Sequence, residues 1–263
     1  MNTGARSWSW FVLVLGAFYF LLPLIGMFEF SLRAKRGEYS LLAYANVLKD
    51  QQFWDTFLYS LTLSLVTIAV GILLVLPAAF WVRLKIPQMR DTIEFITLLP
   101  LVVPTIVIAF GYVRLYNTSS FLPLTGSALG TDALLTCGYI ILSLPYLYRA
   151  IDTGLRAIDV QTMTEAAQSL GAGWVTILFR VILPNVYVAV LSGAFLTFAI
   201  VIGEYVIASL LDRPAFAVYM VWTGTNRAYE PAALAVIAFA ITWVCILFIE
   251  FLSRFAASAR TKA

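Results

Sequence analysis

A helix needs about twenty consecutive apolar residues to cross a hydrocarbon layer roughly 30 Å thick. This chain has six stretches of that kind, at about 9–30, 56–82, 93–113, 133–149, 186–210 and 232–252. Lipid offers no hydrogen-bond partners, so each stretch must satisfy its own backbone groups, and a helix does so. Composition agrees: 62% of the 263 residues are hydrophobic and 12% charged, against roughly 45–50% and 25% in soluble domains. The expected fold is all-α and integral to the membrane, with six transmembrane helices in one domain over 1–263. The fourth stretch is the shortest, and Pro145 interrupts it.

The same composition excludes several functions. The net charge is only +3 and the basic residues are scattered, so there is no stripe for nucleic acid. The chain has no histidine, and Cys137 and Cys245 each sit inside an apolar run, which leaves little for a metal centre or a disulfide framework. The first apolar run follows Arg6 as in a signal peptide, but it is too long for one and no small-residue cleavage site precedes Arg33, so it reads as a retained span. Six spans place both termini on one side. With cytoplasmic termini, ten of the basic residues fall inside and seven outside, which favours that orientation modestly and leaves "RAKRG" at 33–37 outside. The outer stretch "YSLLAYANVLKDQQFWDTF" has helix-like apolar spacing and is expected to lie along the interface.

One long inner loop remains, 150–185, containing "TEAAQSLGAGWVTILFRVILPN". Thr162 and Glu165 have capping-box spacing, which predicts a helix from about Met163. Gly171 is suited to the left-handed conformation that ends helices, and a second helix is expected from near Trp174. Met163, Ala167, Leu170, Trp174, Ile177 and Val181 recur every three or four residues as an apolar stripe. Pro184 is expected to mark the junction with the fifth span. From these residues alone, the segment is either a pair of docking helices or an amphipathic connector.

The order E-A-A, a glycine after three further residues, then I-L-P resembles the "EAA" motif of permease subunits of bacterial type I ATP-binding-cassette (ABC) importers. Glu165, Ala166, Ala167, Gly171, Ile182, Leu183 and Pro184 match it as they stand. The likeness runs from the second span to the sixth. "LLPLVVPTIVIAFGY", "FAIVIGEYVIASLL" and "YEPAALAVIAFAITWV" are similar to the spermidine/putrescine branch. The resemblance implies the MetI-like permease fold in a bacterial inner membrane, with 159–184 as the coupling segment seated in a groove of a cytoplasmic ATPase. It further implies two ATPase subunits carrying ATP and magnesium, a second permease subunit, either homologous and forming a heterodimer or identical, and an extracytoplasmic solute-binding protein. The implied substrate is a small polar solute, polyamines first, with opines, aminophosphonates and ferric iron as alternatives.

The chain has no G-x-x-x-x-G-K-[ST] phosphate loop, so it is expected to bind no nucleotide or cofactor and to act as a transport subunit, not an enzyme. Glu204 is an acid inside an apolar run, which is costly unless it faces a cavity or partner. It is a candidate for the substrate path or outer gate, with subunit pairing and a passive interfacial position as alternatives. Pro100, Pro104 and Pro145 are candidates to break helices beside a pathway. Tyr112, Tyr205, Tyr219 and Trp222 offer aromatic faces for a cation or simply an interfacial belt. A secondary transporter would need ion-coupling residues and usually a repeat, and a membrane enzyme would need a convergent set of catalytic groups. Neither pattern is evident.

Overall fold

The computed structural model describes the backbone of residues 3–35 and 37–260, and the side chains of these except 3–7, 9, 245, 246 and 248–260. Among the described residues it is helical apart from turns and an isolated bridge between Lys35 and Glu38. The α-helices are α1 (Thr3–Ser31), α2 (Leu42–Lys49), α3 (Gln51–Lys85), α4 (Arg90–Val102), α5 (Thr105–Leu115), α6 (Ala128–Arg156) and α7 (Val160–Ser169). They continue as α8 (Trp174–Thr176), α9 (Leu183–Gly203), α10 (Val206–Leu210), α11 (Phe216–Asn226) and α12 (Glu230–Arg260). A π-helical stretch, Ile177–Ile182, joins α8 to α9.

Among the described residues, four helices are long and apolar enough to cross a membrane: Trp10–Ser31, Gln51–Lys85, Ala128–Arg156 and the continuous Trp174–Gly203. The third expected span is a bent pair, Pro87–Val102 with Thr105–Leu115, at 89° to each other, and counts as a fifth if taken as one. The bend has a local cause. Pro104 has no amide to donate and disfavours a helical conformation in the residue before it, and Val103 is extended at φ −78°, ψ 119°. Pro145, by contrast, leaves α6 unbroken, contrary to the expectation that it breaks the helix, and is buried there. Pro100 likewise lies within α4. The sixth expected span falls in α12, whose described apolar part, Glu230–Val244, is shorter than a span. Cys245 and most of the expected span beyond it lie outside the described side chains, as does Arg36.

The contacts divide into two compact units, 1–54 with 219–243 and 55–218 with 244–263. In the first, Ser31 is buried with its hydroxyl 2.6 Å from that of Tyr44. Asp50 accepts from the Tyr219 hydroxyl at 2.9 Å and pairs with Arg227 at 3.4 Å. Within the stretch expected to lie along the interface, Leu42–Lys49 forms α2, which buries Ala43 and Val47, and α3 begins at Gln51. The apolar side chains of α1, Phe18, Tyr19 and Phe20 among them, are exposed.

The second unit holds two apolar cores. One gathers Leu76 and Phe80 of α3, Leu147, Ile151 and Leu155 of α6, Val160 and Ala167 of α7, and Ile177, Ile182 and Val186 of the helix that follows. The other gathers Leu63, Ala109, Leu135, Tyr139, Val201, Ile207 and Ala208 around α10. The close contact of α6 with α9 depends on small residues, which let helices approach in lipid. A Cβ at Gly154 would lie 2.5 Å from the Ala189 Cβ, and one at Gly193 would lie 2.8 Å from Leu147 Cδ1 and 3.1 Å from the Ala150 Cβ. Gly154→Val should therefore push α6 and α9 apart and cost about 1–3 kcal/mol, seen as a lower melting temperature of the detergent-solubilised protein. An unchanged melting temperature would contradict this packing.

Candidate functional site

The expected docking segment folds as two joined helices, but its cap differs from the one the sequence predicts. The N-cap is Asp159, whose Oδ1 accepts from the Thr162 amide at 3.1 Å and whose Oδ2 accepts from the Thr162 hydroxyl at 2.7 Å. Thr162 thus donates to the cap, and α7 begins at Val160, three residues before the expected start. Glu165 is not the reciprocal partner of a capping box: its Oε1 accepts from Gln161 Nε2 at 2.9 Å. The Thr162 hydrogen bonds hold the Asp159 carboxyl below its ordinary pKa.

The C-terminus of α7 follows the sequence closely. Gly171 has φ +78°. The Ala172 amide donates to the Ala167 carbonyl at 3.0 Å and the Gly171 amide to the Gln168 carbonyl at 2.8 Å, the paired bonds of a Schellman turn. The turn also corrects the expected stripe. Val160, Thr164, Ala167 and Ile177 are buried, whereas Leu170 is 88% exposed and Val175 73%. Leu170 is the C-cap residue, so the helical periodicity that would turn it inward has already ended there. Trp174 is held against α3 by Trp81, with ring centroids 4.9 Å apart, and lies 5.7 Å from Lys85 Nζ.

Ala167 and Leu183 face the core, and Glu165, Ala166, Gly171 and Pro184 are exposed. The outer face of the segment is thus small and polar, with two bare apolar side chains, Leu170 and Val175. Sequence reasoning missed that pair, although the glycine turn that exposes Leu170 was its signal. Pro184 does not break the helix. The chain runs unbroken from Trp174 to Gly203, and the wide π turn just before Pro184 makes room for a ring that would clash within α-helical spacing.

Glu204, Pro104 and Tyr205 come together at one place. A cavity of about 490 Å³ is lined by Pro100, Pro104, Thr105, Tyr146, Gly203, Glu204 and Tyr205, among others. Two helix breaks meet here, the α4–α5 bend and the gap between α9 and α10, and α10 packs on α5. Glu204 is extended, at φ −78°, ψ 120°. Its Oε1 accepts from the Ile207 amide at 2.9 Å and its Oε2 from the Ala208 amide at 3.2 Å. The carboxylate therefore satisfies the first amides of α10, which would otherwise be unpaired at an apolar depth. Tyr112 lies apart from this cavity, in the second apolar core, and Tyr219 is bonded to Asp50.

Just beyond α10 the chain is fastened again. Arg213 pairs with Asp132 at 2.7 Å, Tyr59 donates its hydroxyl hydrogen to the same carboxylate, and the Arg213 guanidinium lies over the Tyr59 ring. The short helix that Glu204 starts is thus anchored at its far end to α3 and α6.

A helical membrane chain with discontinuous helices around a cavity and a capped amphipathic pair is the architecture of a transporter subunit. Residues 71–261 match the family described as "Binding-protein-dependent transport system inner membrane component", and the chain belongs to that family of ABC transporter permeases. It is 29% identical over 75% of its length to a protein of Sinorhizobium fredii described as "Probable ABC transporter permease protein", and spans 36% of that protein. It is 27% identical to the spermidine/putrescine transport system permease protein PotC of Haemophilus influenzae, over 80% of each chain. A probable molybdenum ABC transporter permease of Haloferax volcanii is 31% identical over 68% of this chain and 66% of its own. The fold superimposes on a chain of the bacterial alginate ABC transporter with a TM-score of 0.71, covering 95% of each at 16% identity. For the MetNI methionine transporter the score is 0.59, over 78% of this chain and 94% of that one, also at 16% identity.

Two outcomes follow for the segment. Because the folded-state pKa of Asp159 is depressed, its cap contributes fully above the ordinary carboxylate pKa and is lost as pH falls through the lower folded value. The protection of the Thr162 amide against hydrogen exchange should therefore fall in acid, and Asp159→Ala should lower it at neutral pH while matching the parent once the carboxyl is protonated; equal protection in the variant and the parent at neutral pH would refute the cap. Gly171→Ala forces a side chain into the left-handed region at a cost of about 1–2 kcal/mol, and should lower the melting temperature more than Gly173→Ala does.

Proposed function

We propose that this chain is the transmembrane subunit of an ATP-driven, binding-protein-dependent importer of a small polar solute, with Val160–Ser169 and the turn at Gly171 as its coupling element. The observation that carries the reading is the segment's two-sided construction. One face is locked into the apolar core with α3 and α6, and the other presents Glu165, Ala166, Leu170 and Gly171. A groove on an ATPase receives that outer face, while the core passes its displacement to the spans. ATP and magnesium are held by two such ATPase subunits, whose closure drives the spans between inward- and outward-open arrangements. The termini and the coupling segment are cytoplasmic, in a bacterial inner membrane. A second, homologous permease subunit completes the pathway, and an extracytoplasmic binding protein delivers the solute.

The substrate is most simply a polyamine. The spermidine/putrescine relative aligns over 80% of both chains, and the cavity combines a carboxylate with the aromatic rings of Tyr146 and Tyr205, a setting suited to an ammonium group. Opines, aminophosphonates and ferric iron are the alternatives, and this chain is also similar to permeases named for molybdenum and sulfate. Glu204 serves the path by shaping it. It fixes α10 beside the cavity while adding negative potential there, and Pro104 and Tyr205 form adjoining wall.

Co-expression with the ATPase and binding protein tests this. Glu165→Lys, and separately Leu170→Asp, should reduce ATPase recovery with the permease and uncouple hydrolysis from solute; normal transport by Glu165→Lys would sink the coupling role. Glu204→Gln places an amide nitrogen where two backbone donors need an acceptor, so uptake should drop by about tenfold or more, equivalent to at least about 1.4 kcal/mol, with the complex still assembled. Ligand-induced stabilisation of the binding protein, screened with spermidine and putrescine against sulfate and molybdate, identifies the solute.

A further inference from the structure

Beside the start of α7 lies a recess of about 320 Å³, lined by Arg83, Pro87, Arg90, Asp159, Val160 and Gln161 among others. Its charges are unevenly spent. Asp159 is committed to Thr162 through both oxygens. Nearby, Asp152 is nearly buried, accepts from Arg156 Nε at 2.8 Å and stands 3.5 Å from Arg90 Nη2. On the lining itself two guanidinium groups, Arg83 and Arg90, face one carboxylate, Asp159. Arg90 reaches Asp152 only at 3.5 Å, and among the described residues no ion pair is formed by Arg83. Two guanidinium groups lining one recess suit a planar anion with paired acceptor oxygens.

Position decides whose anion this is. Three of the lining residues, Asp159, Val160 and Gln161, are the N-cap and first turn of the proposed coupling helix, so a body seated on the outer face of α7 reaches the recess as well. We propose that this recess receives a carboxylate side chain from the ATPase subunit, as a second anchor that holds the α3–α4 turn to the body moving α7. The inference rests on the coupling reading above. Its mechanical sense follows from the network around it: Arg90 and Glu94 tie α4 to Asp152, Arg149 and Arg156 of α6. A pull at the recess therefore acts on the first arm of the bent α4–α5 pair, independently of the path through α7. A lipid phosphate offers the same acceptor chemistry, and the test separates the two.

The full permease–ATPase complex is purified in lipid-free detergent micelles and in vesicles with and without an anionic phospholipid, carrying Arg83→Glu, Arg83→Gln, Arg83→Lys or Glu165→Lys. Charge reversal at Arg83 should lower ATPase recovery by about tenfold in every setting. Arg83→Gln should fall between, Arg83→Lys should stay near the parent, and an Asp→Arg or Glu→Arg change at one acidic position of the ATPase should restore Arg83→Glu. If Glu165→Lys loses the ATPase while Arg83→Glu keeps it, the recess inference is overturned and the coupling reading stands. If neither variant alters recovery, both fail. A defect confined to vesicles containing anionic lipid would assign the recess to a phospholipid headgroup and overturn the ATPase anchor. Loss of folding in Arg83→Glu is read from its melting curve, and the Arg83→Gln and Arg83→Lys pair then decides the question.

Discussion

The organisation around the cavity depends on one carboxylate doing the work of missing backbone partners. A helix that starts inside an apolar layer leaves amides bare, and lipid supplies nothing to pair them. Glu204 supplies two acceptor oxygens at that point, to Ile207 and Ala208. With those amides satisfied, α9 can end, the chain can turn, and α10 can start against α5 and α6. The Arg213–Asp132–Tyr59 cluster then secures the far end. Without the cap, an unbroken helix would be the cheaper arrangement, and there would be no gap in the wall beside Pro104.

Much of this was legible from the residues, and the failures share a cause. Apolar length located the long helices, because membrane thickness imposes it. Gly171 located the end of α7, because few other residues accept φ +78°. Proline was the poorer guide. Pro104 bends the chain by 89° together with its neighbours, yet Pro145 is absorbed inside α6 and Pro184 in the first turn of α9, just after a π turn. A proline removes one donor and adds one steric conflict, and whether that breaks a helix is decided by what packs beside it, which a single sequence does not display. The same holds for Glu204: the sequence marked it as an acid at an expensive depth, but its partners are amides only three and four residues away. The cap of α7 was missed for a simpler reason. Asp159 and Thr162 both suit helix starts, and the choice between them depends on where the preceding helix, α6, lets go.

The stretch from Val160 to Gly171 shows how a surface and a strut can be one piece of chain. Its inward residues belong to the same apolar core as α3 and α6, so it is not a loop hung between spans. Its outward residues are left bare by a turn that needs its glycine. Burial on one side gives stiffness, and exposure on the other gives something to grip.

The π turn carries a further consequence. Ile177 and Ile182 are five residues apart and both fully buried in one core, a spacing that α-helical geometry would place on different sides of the cylinder. The wide turn takes up one extra residue and so resets the rotational phase of everything beyond it. It does so without a joint, because the chain from Trp174 to Gly203 remains a single rod of 30 residues, about 45 Å long. Torque applied at Trp174 therefore reaches the Glu204 elbow as rotation of a rigid shaft, geared by one residue.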